Sequence, residues 1–233
     1  MVMEFLENNY FLLALTFVVF IAARILNRRT GIALLNPILI SVIVLILFLW
    51  LADIPYETYT AGGNYVEFWL KPAVVALGVP LYRQLSTIRK QLLPIIAAEL
   101  AGCVAGIISV VLIAQALGAS REVVLSLAAK SVTTPIAMEV TAAVGGIPPL
   151  TAAVVVCVGI FGGMTGFRVM KMTRVKSPMA RGLAMGTAAH ALGTSAAIDT
   201  GGQRYGAWAS LGLTLNGLFT ALLTPSILQA LGV

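Results

Sequence analysis

Charge is scarce in this sequence. Only 10% of its 233 residues are Asp, Glu, Lys or Arg, against 59% hydrophobic, and the mean hydropathy is +0.98. Soluble domains carry about 25% charged residues, so a water-facing surface is excluded and an integral membrane protein is implied. Cysteine is nearly absent. Cys103 and Cys157 both fall inside apolar runs, which excludes a disulfide framework and a cysteine-based metal site; both are expected to pack as small hydrophobes. Histidine occurs once, at His190. There is no G-x-S-x-G elbow and no zinc-protease helix motif, so no catalytic residue, metal or cofactor is expected, and the chain is not expected to be an enzyme. Segments of alternating polar and apolar residues are missing too, which excludes a β-barrel. Residues 1–9 are acidic and polar with no basic region ahead of the first apolar run, so no cleaved signal peptide is expected.

What charge there is has a pattern. Lys and Arg number 15 against 9 Asp and Glu, a net charge of +6. The basic residues cluster beside apolar segments, as on the cytoplasmic face of a membrane protein, and nucleic acid is not an expected partner. Membrane lipid is. A helical span needs roughly 20 apolar residues. The pattern predicts an all-α polytopic fold in a single transmembrane domain, residues 1–233, with about six full spans and two broken or re-entrant segments. Residues 10–117 hold the N-terminal spans (10–25, 32–51, 66–85 and 91–117). Residues 121–145 form the first broken segment, 149–167 a span, 178–200 the second broken segment, and 205–228 the last span. The third span, with Lys71, Pro72, Gly78 and Pro80, is expected to be irregular, and Gly102 and Gly106 give the fourth a small-residue face for close helix contact.

Two interrupted runs organise the chain. The first, residues 128–139, places Lys130, Ser131, Thr133, Thr134, Pro135 and Glu139 in an apolar region. Pro135 offers no amide hydrogen and turns Thr134 away from helical dihedrals, so two short helices meet there. The second run, residues 185–199, repeats the order sixty positions on: His190 stands for Lys130, Thr194 for Thr134 and Asp199 for Glu139, with a break expected at Gly193, Thr194 and Ser195. Non-helical backbone survives in a membrane only where protein or a wet cavity satisfies it. Basic loops at residues 83–90 and 168–181 both belong inside, which requires an even number of crossings between them. The first broken segment is therefore read as a hairpin dipping in from outside; each arm of about ten residues spans about 15 Å, half of a roughly 30 Å core. The second dips in from the opposite side. The competing layout keeps both as broken crossing helices. Opposed copies of this kind are the pattern of inverted-repeat transporters, with substrate where the broken helices meet.

The site candidates follow from this layout. Lys130 offers a positive charge to an anion, or else pairs with Glu139 or Glu99 to lock helices together. Ser131, Thr133 and Thr134 either bind a carboxylate or satisfy the backbone freed by Pro135. His190, with its ordinary pKa of about 6.5, either carries a proton or is a structural hydrogen-bonder. Glu99 and Glu139 are candidates for ion or proton coupling, with Asp199 ranked last.

The residues that carry the runs also carry a likeness. The strings KSVTTPIA at 130–137 and RGLAMGTAAHALGT at 181–194, with Leu35, Asn36 and Pro37 and the string PAVVALGVPLYR at 72–83, closely resemble the signature segments of the LrgB/CidB family of bacterial membrane proteins, over nearly the whole chain. Membership implies a multi-pass protein of the bacterial inner membrane that often works beside a smaller LrgA/CidA-type partner. Two functions travel with that family: holin-like or antiholin-like control of murein hydrolases and cell lysis, and carriage of small carboxylates, as in the similar C-terminal half of the plant plastid glycolate/glycerate translocator. Glu139 departs from the small or apolar residue expected there. Together, residues and resemblance lead to a secondary transporter of a monocarboxylate of the glycolate, glycerate, pyruvate or lactate type. Lys130, Ser131, Thr133, Thr134, Pro135, His190, Gly193, Thr194 and Ser195 would line its site. The alternative is a lysis regulator that oligomerises with an LrgA/CidA-type partner. A homo-oligomer fits either.

Overall fold

A computed structural model of the chain describes residues 6–32, 35, 37–69, 72, 82 and 85–233. Those residues are mostly helical, with no strand among them, and fall into two compact units, Met1–Ala73 and Val74–Val233. Asn36 of the expected second span, and Lys71, Gly78, Pro80 and Arg83 in and beside the expected third, lie outside the described residues.

The first unit holds α1 (Asn9–Thr30), α2 (Pro37–Leu51) and α3 (Tyr56–Glu67). Asn8 caps α1, its Oδ1 accepting from the amides of Tyr10 and Phe11. Gly31, with φ +65°, ends it in a left-handed turn, and Arg28 and Arg29 stand in the last turn, where the helix dipole favours cations. The stretch between the expected second and third spans is largely helix: α3 packs on α1 through a Thr16 to Tyr59 hydroxyl contact of 3.1 Å and a stacked Tyr10–Tyr65 pair.

The second unit holds α4 (Leu85–Lys90), α5 (Leu92–Ala116), α6 (Arg121–Ala128), α7 (Thr134–Val144), α8 (Pro148–Met172) and α9 (Pro178–Ala230). Among the described residues four helices, α1, α5, α8 and the run of α9, are long and apolar enough to cross a membrane. Their outward faces are apolar: Leu93, Leu112 and Ile113 of α5 and Phe161, Val169 and Met172 of α8 are exposed, which suits lipid rather than water. The inward face of α5 is a stripe at four-residue spacing, Ile95, Glu99, Cys103, Ile107 and Val111. Around it Cys103, Ile107 and Val111 pack against Val124, Leu125 and Ala128 of α6 and Leu228 of α9, while Ile95 packs against Leu183, Leu211 and Leu215.

Helix α9 is three arms. Helical dihedrals fail at Ala189 and His190 and again at Gly202, leaving arms at 178–188, 191–201 and 203–230. Gly202 has φ +67°, a conformation glycine adopts without a steric cost. The first arm lies against the third where Gly186 meets the backbone of Ala209 and Leu213, so closely that a Cβ would not fit. The break expected at Gly193, Thr194 and Ser195 thus falls earlier in the chain: those three are helical, and the chain turns at Ala189–His190. No proline or glycine marks that turn; His190 itself adopts φ +43°, a strained value for a side chain with a Cβ, and tertiary contacts hold it there.

Residues 129–133 are non-helical between α6 and α7, and Pro135 sits in the first turn of α7, where its missing amide costs nothing. The far end of α7 returns to α6. Ile147 donates its amide to Ser126 Oγ at 2.7 Å, and Thr151 Oγ1 lies 2.9 Å from both Ser126 O and Thr141 Oγ1, donating to the carbonyl while the Thr141 hydroxyl can donate to it. Each of these buried polar groups has a partner, as the membrane interior demands.

Candidate functional site

The break between α6 and α7 puts Lys130 and Ser131 on the wall of a cavity of about 440 Å³. Its other walls come from α5 (Glu99, Gly102, Cys103), the first arm of α9 (Leu183, Thr187) and the third (Asn216, Thr220). The volume falls in the roughly 300–1,000 Å³ range of small-molecule sites. Lys130 Nζ donates to Ser131 Oγ at 2.9 Å and makes no ion pair among the described residues. An ammonium so placed has one neutral partner for its three donors.

Glu99 is the second ionisable group on the wall. It is 1% exposed, and Thr187 Oγ1 lies 2.9 Å and 2.7 Å from its two oxygens. Asn216, 2% exposed, joins the two breaks: its Nδ2 donates to Ser131 O at 3.1 Å and to Thr187 O at 3.0 Å. One side-chain amide thus serves two backbone carbonyls, one inside the first break and one just before the second. Its Oδ1 is buried and has no hydrogen-bond partner.

The remaining candidates lie elsewhere. Thr133 precedes α7 at the cap position without capping it, and its buried Oγ1 has no partner. Thr134 and Pro135 start α7 and do not line the cavity. Nor does His190: its ring points into α8, with Nε2 2.9 Å from Val155 O and a face against Gly159. A carbonyl only accepts, so that nitrogen carries the proton. Gly193 packs under Met185, Thr194 Oγ1 donates to His190 O at 3.0 Å, and Ser195 is exposed. Glu139 and Asp199 are exposed on α7 and on the second arm of α9. Cys103 is buried, with Sγ 3.4 Å from Thr220 Oγ1, whereas Cys157 is exposed, contrary to its expected packing. Among the described residues no cluster of His, Cys, Asp and Glu could hold a metal ion.

Sequence reasoning passed over Asn216 and Thr187. The signal for Asn216 was available: an amide in an otherwise apolar final span, which in a membrane demands a partner. Thr187 stands inside the second run, where its register partner carries no polar group to draw attention to it.

The LrgB-like family model matches residues 16–230. This chain belongs to the LrgB-like family. Among curated relatives of this LrgB-like protein, the uncharacterized protein YxaC of Bacillus subtilis is 34% identical over 216 residues, covering 93% of this chain and 94% of that one. The antiholin-like protein LrgB of Bacillus cereus is 32% identical over 212 residues, 91% and 92% of the two chains, and the LrgB of Bacillus anthracis is similar to the same extent. No solved structure matches. Family and apolar helices together make this LrgB-like chain a multi-pass membrane protein.

Proposed function

We propose that this protein is a secondary carrier of small monocarboxylates of the glycolate, glycerate, pyruvate or lactate type, working in a bacterial inner membrane. The observation that carries the reading is Lys130: a cation at a helix break in an apolar protein, on a cavity wall, bonded to a neutral hydroxyl and to no acid among the described residues. Leaving a charge in that setting costs a few kcal/mol, which an incoming anion would offset. The α7 N-terminus beside it adds a partial positive charge. Ser131 would help hold the carboxylate, and the two broken segments would form an inverted repeat about the cavity.

The test is uptake of labelled glycolate into proteoliposomes. Lys130→Ala is expected to abolish saturable uptake while eluting as the folded species on size exclusion. Undiminished uptake by that variant overturns the assignment.

A second reading is favoured by the names of relatives. Those called antiholin-like support a regulator of cell lysis, assembling with itself or with an LrgA/CidA-type partner, more directly than they support a carrier. The two differ in kinetics: a carrier saturates and shows competition among carboxylates, whereas a holin-like assembly leaks dyes without saturation and tolerates loss of Lys130.

A further inference from the structure

Thr187 has more acceptors than protons. Its Oγ1 lies 2.9 Å from Glu99 Oε1, 2.7 Å from Glu99 Oε2 and 2.8 Å from Leu183 O, yet a hydroxyl has a single hydrogen to give. The Leu183 carbonyl, one turn back on the same arm, has none. If Thr187 donates to Leu183, as membrane threonines commonly bond one turn back, its lone pairs face Glu99. That contact is attractive only when the carboxyl carries a hydrogen of its own. If Thr187 donates to Glu99 instead, its approach to Leu183 sets two acceptors against each other. One more proton gives a hydrogen to the Leu183 contact and another to the contact between hydroxyl and carboxyl group, and the carboxyl is the group that can hold it.

The surroundings agree. Glu99 is 1% exposed and makes no ion pair among the described residues. Gly212 of the third arm packs so close that a Cβ there would sit 3.1 Å from both Glu99 Oε1 and Thr187 Oγ1, which leaves no room for a shell of water on that side. The titratable groups near it are Lys130, across the cavity, and Cys103, one turn along α5; the arms of α9 bring the uncharged Thr187, Gly212 and Asn216. A sodium ion needs several oxygens, and Glu99 has one hydroxyl partner.

We infer that Glu99 is an exchangeable proton site, and that Thr187 reports its state by turning its hydroxyl between Leu183 and the carboxylate. When Glu99 loses its proton to the cavity, Thr187 must swing its hydrogen from the Leu183 carbonyl to the carboxylate. Thr187 O is held by Asn216 Nδ2, which also holds Ser131 O beside Lys130, so the proton site and the anion site share one amide. The proton site rests on this geometry alone, and its coupling role rests on the carrier reading.

Infrared spectra of the purified full chain in lipid test the two parts separately. At neutral pH the wild type should show the carbonyl stretch of a neutral buried carboxyl, sensitive to deuterium exchange and bleached in alkali. Glu99→Gln should remove it, Thr187→Val should displace it, and Thr187→Ser should restore its position. In vesicles, glycolate uptake driven by an inward proton gradient should fall about tenfold relative to glycolate exchange in Glu99→Gln. No band lost with Glu99, or a carboxylate that answers to sodium chloride and not to pH, overturns the proton site, whatever is transported. A band that behaves as described in a protein that moves no glycolate leaves the proton site standing and overturns the carrier. If Glu99→Gln does not fold, the Thr187 pair decides: equal band positions in Thr187→Val and wild type overturn the proposal.

Discussion

The breaks at residues 129–133 and 189–190 occupy matching places in two similar runs, and each carries the basic side chain of its run. Lys130 lies on the cavity wall with its ammonium on a hydroxyl, while His190 turns into α8 and bonds the Val155 carbonyl. The difference follows from side-chain chemistry. An imidazole that gives its Nε2 hydrogen to one carbonyl is held by that bond, and a short ring can be clamped where Gly159 lets it close. An ammonium has three donors and a strongly hydrated charge, so it stays where water or an anion can reach it. A shared register therefore carried the break from one run to the other but not the chemistry at it.

That contrast can be broken by exchange of roles under mutation. The largest effect is expected at the first break: Lys130→Ala should lower glycolate uptake by about 100-fold or more, a difference of about 2.7 kcal/mol, with little change in thermal stability. Equal losses of uptake in Lys130→Ala and His190→Ala would erase the distinction between the breaks. Next comes the amide that joins them. Asn216→Leu strips the Ser131 and Thr187 carbonyls of their donor and should destabilise the protein by about 1–3 kcal/mol, read as a lowered midpoint in a thermal melt followed by tryptophan fluorescence. An unshifted melt would mean that the breaks are held independently. The smallest effect is at the second break, where His190→Ala should cost about 1 kcal/mol in the same melt, as for other hydrogen bonds within membrane bundles, while uptake remains saturable. Here the melt should move and the uptake should not, the reverse of Lys130.

Much of the helical layout was legible. The apolar runs at 91–117 and 205–228 are helical, in α5 and the third arm of α9, because long apolar runs bounded by Gly or charge have few other solutions. Pro135 announced the first break, since proline acts on its own backbone and that of its neighbour. The second break was misplaced for the complementary reason. Gly193 invited a break, yet its missing Cβ serves close packing beneath Met185, and the turn falls on Ala189 and His190, residues with no local preference for it. Candidate site residues fared unevenly too: Lys130 and Ser131 share the cavity, whereas Thr133, Thr134 and Pro135, next to them in sequence, do not.

By itself the sequence determined what depends on near neighbours: membrane residence, the long helices, the first interruption and the presence of a cation within it. Tertiary structure decided which polar groups meet. Glu99, Thr187 and Asn216 come from three segments separated by 88 and 29 residues, and they converge because Gly186 and Gly212 let the arms of α9 close against each other and against α5. A helix sets where a side chain starts; only the partner packed against it sets what that side chain touches, and no periodicity within one segment encodes the partner.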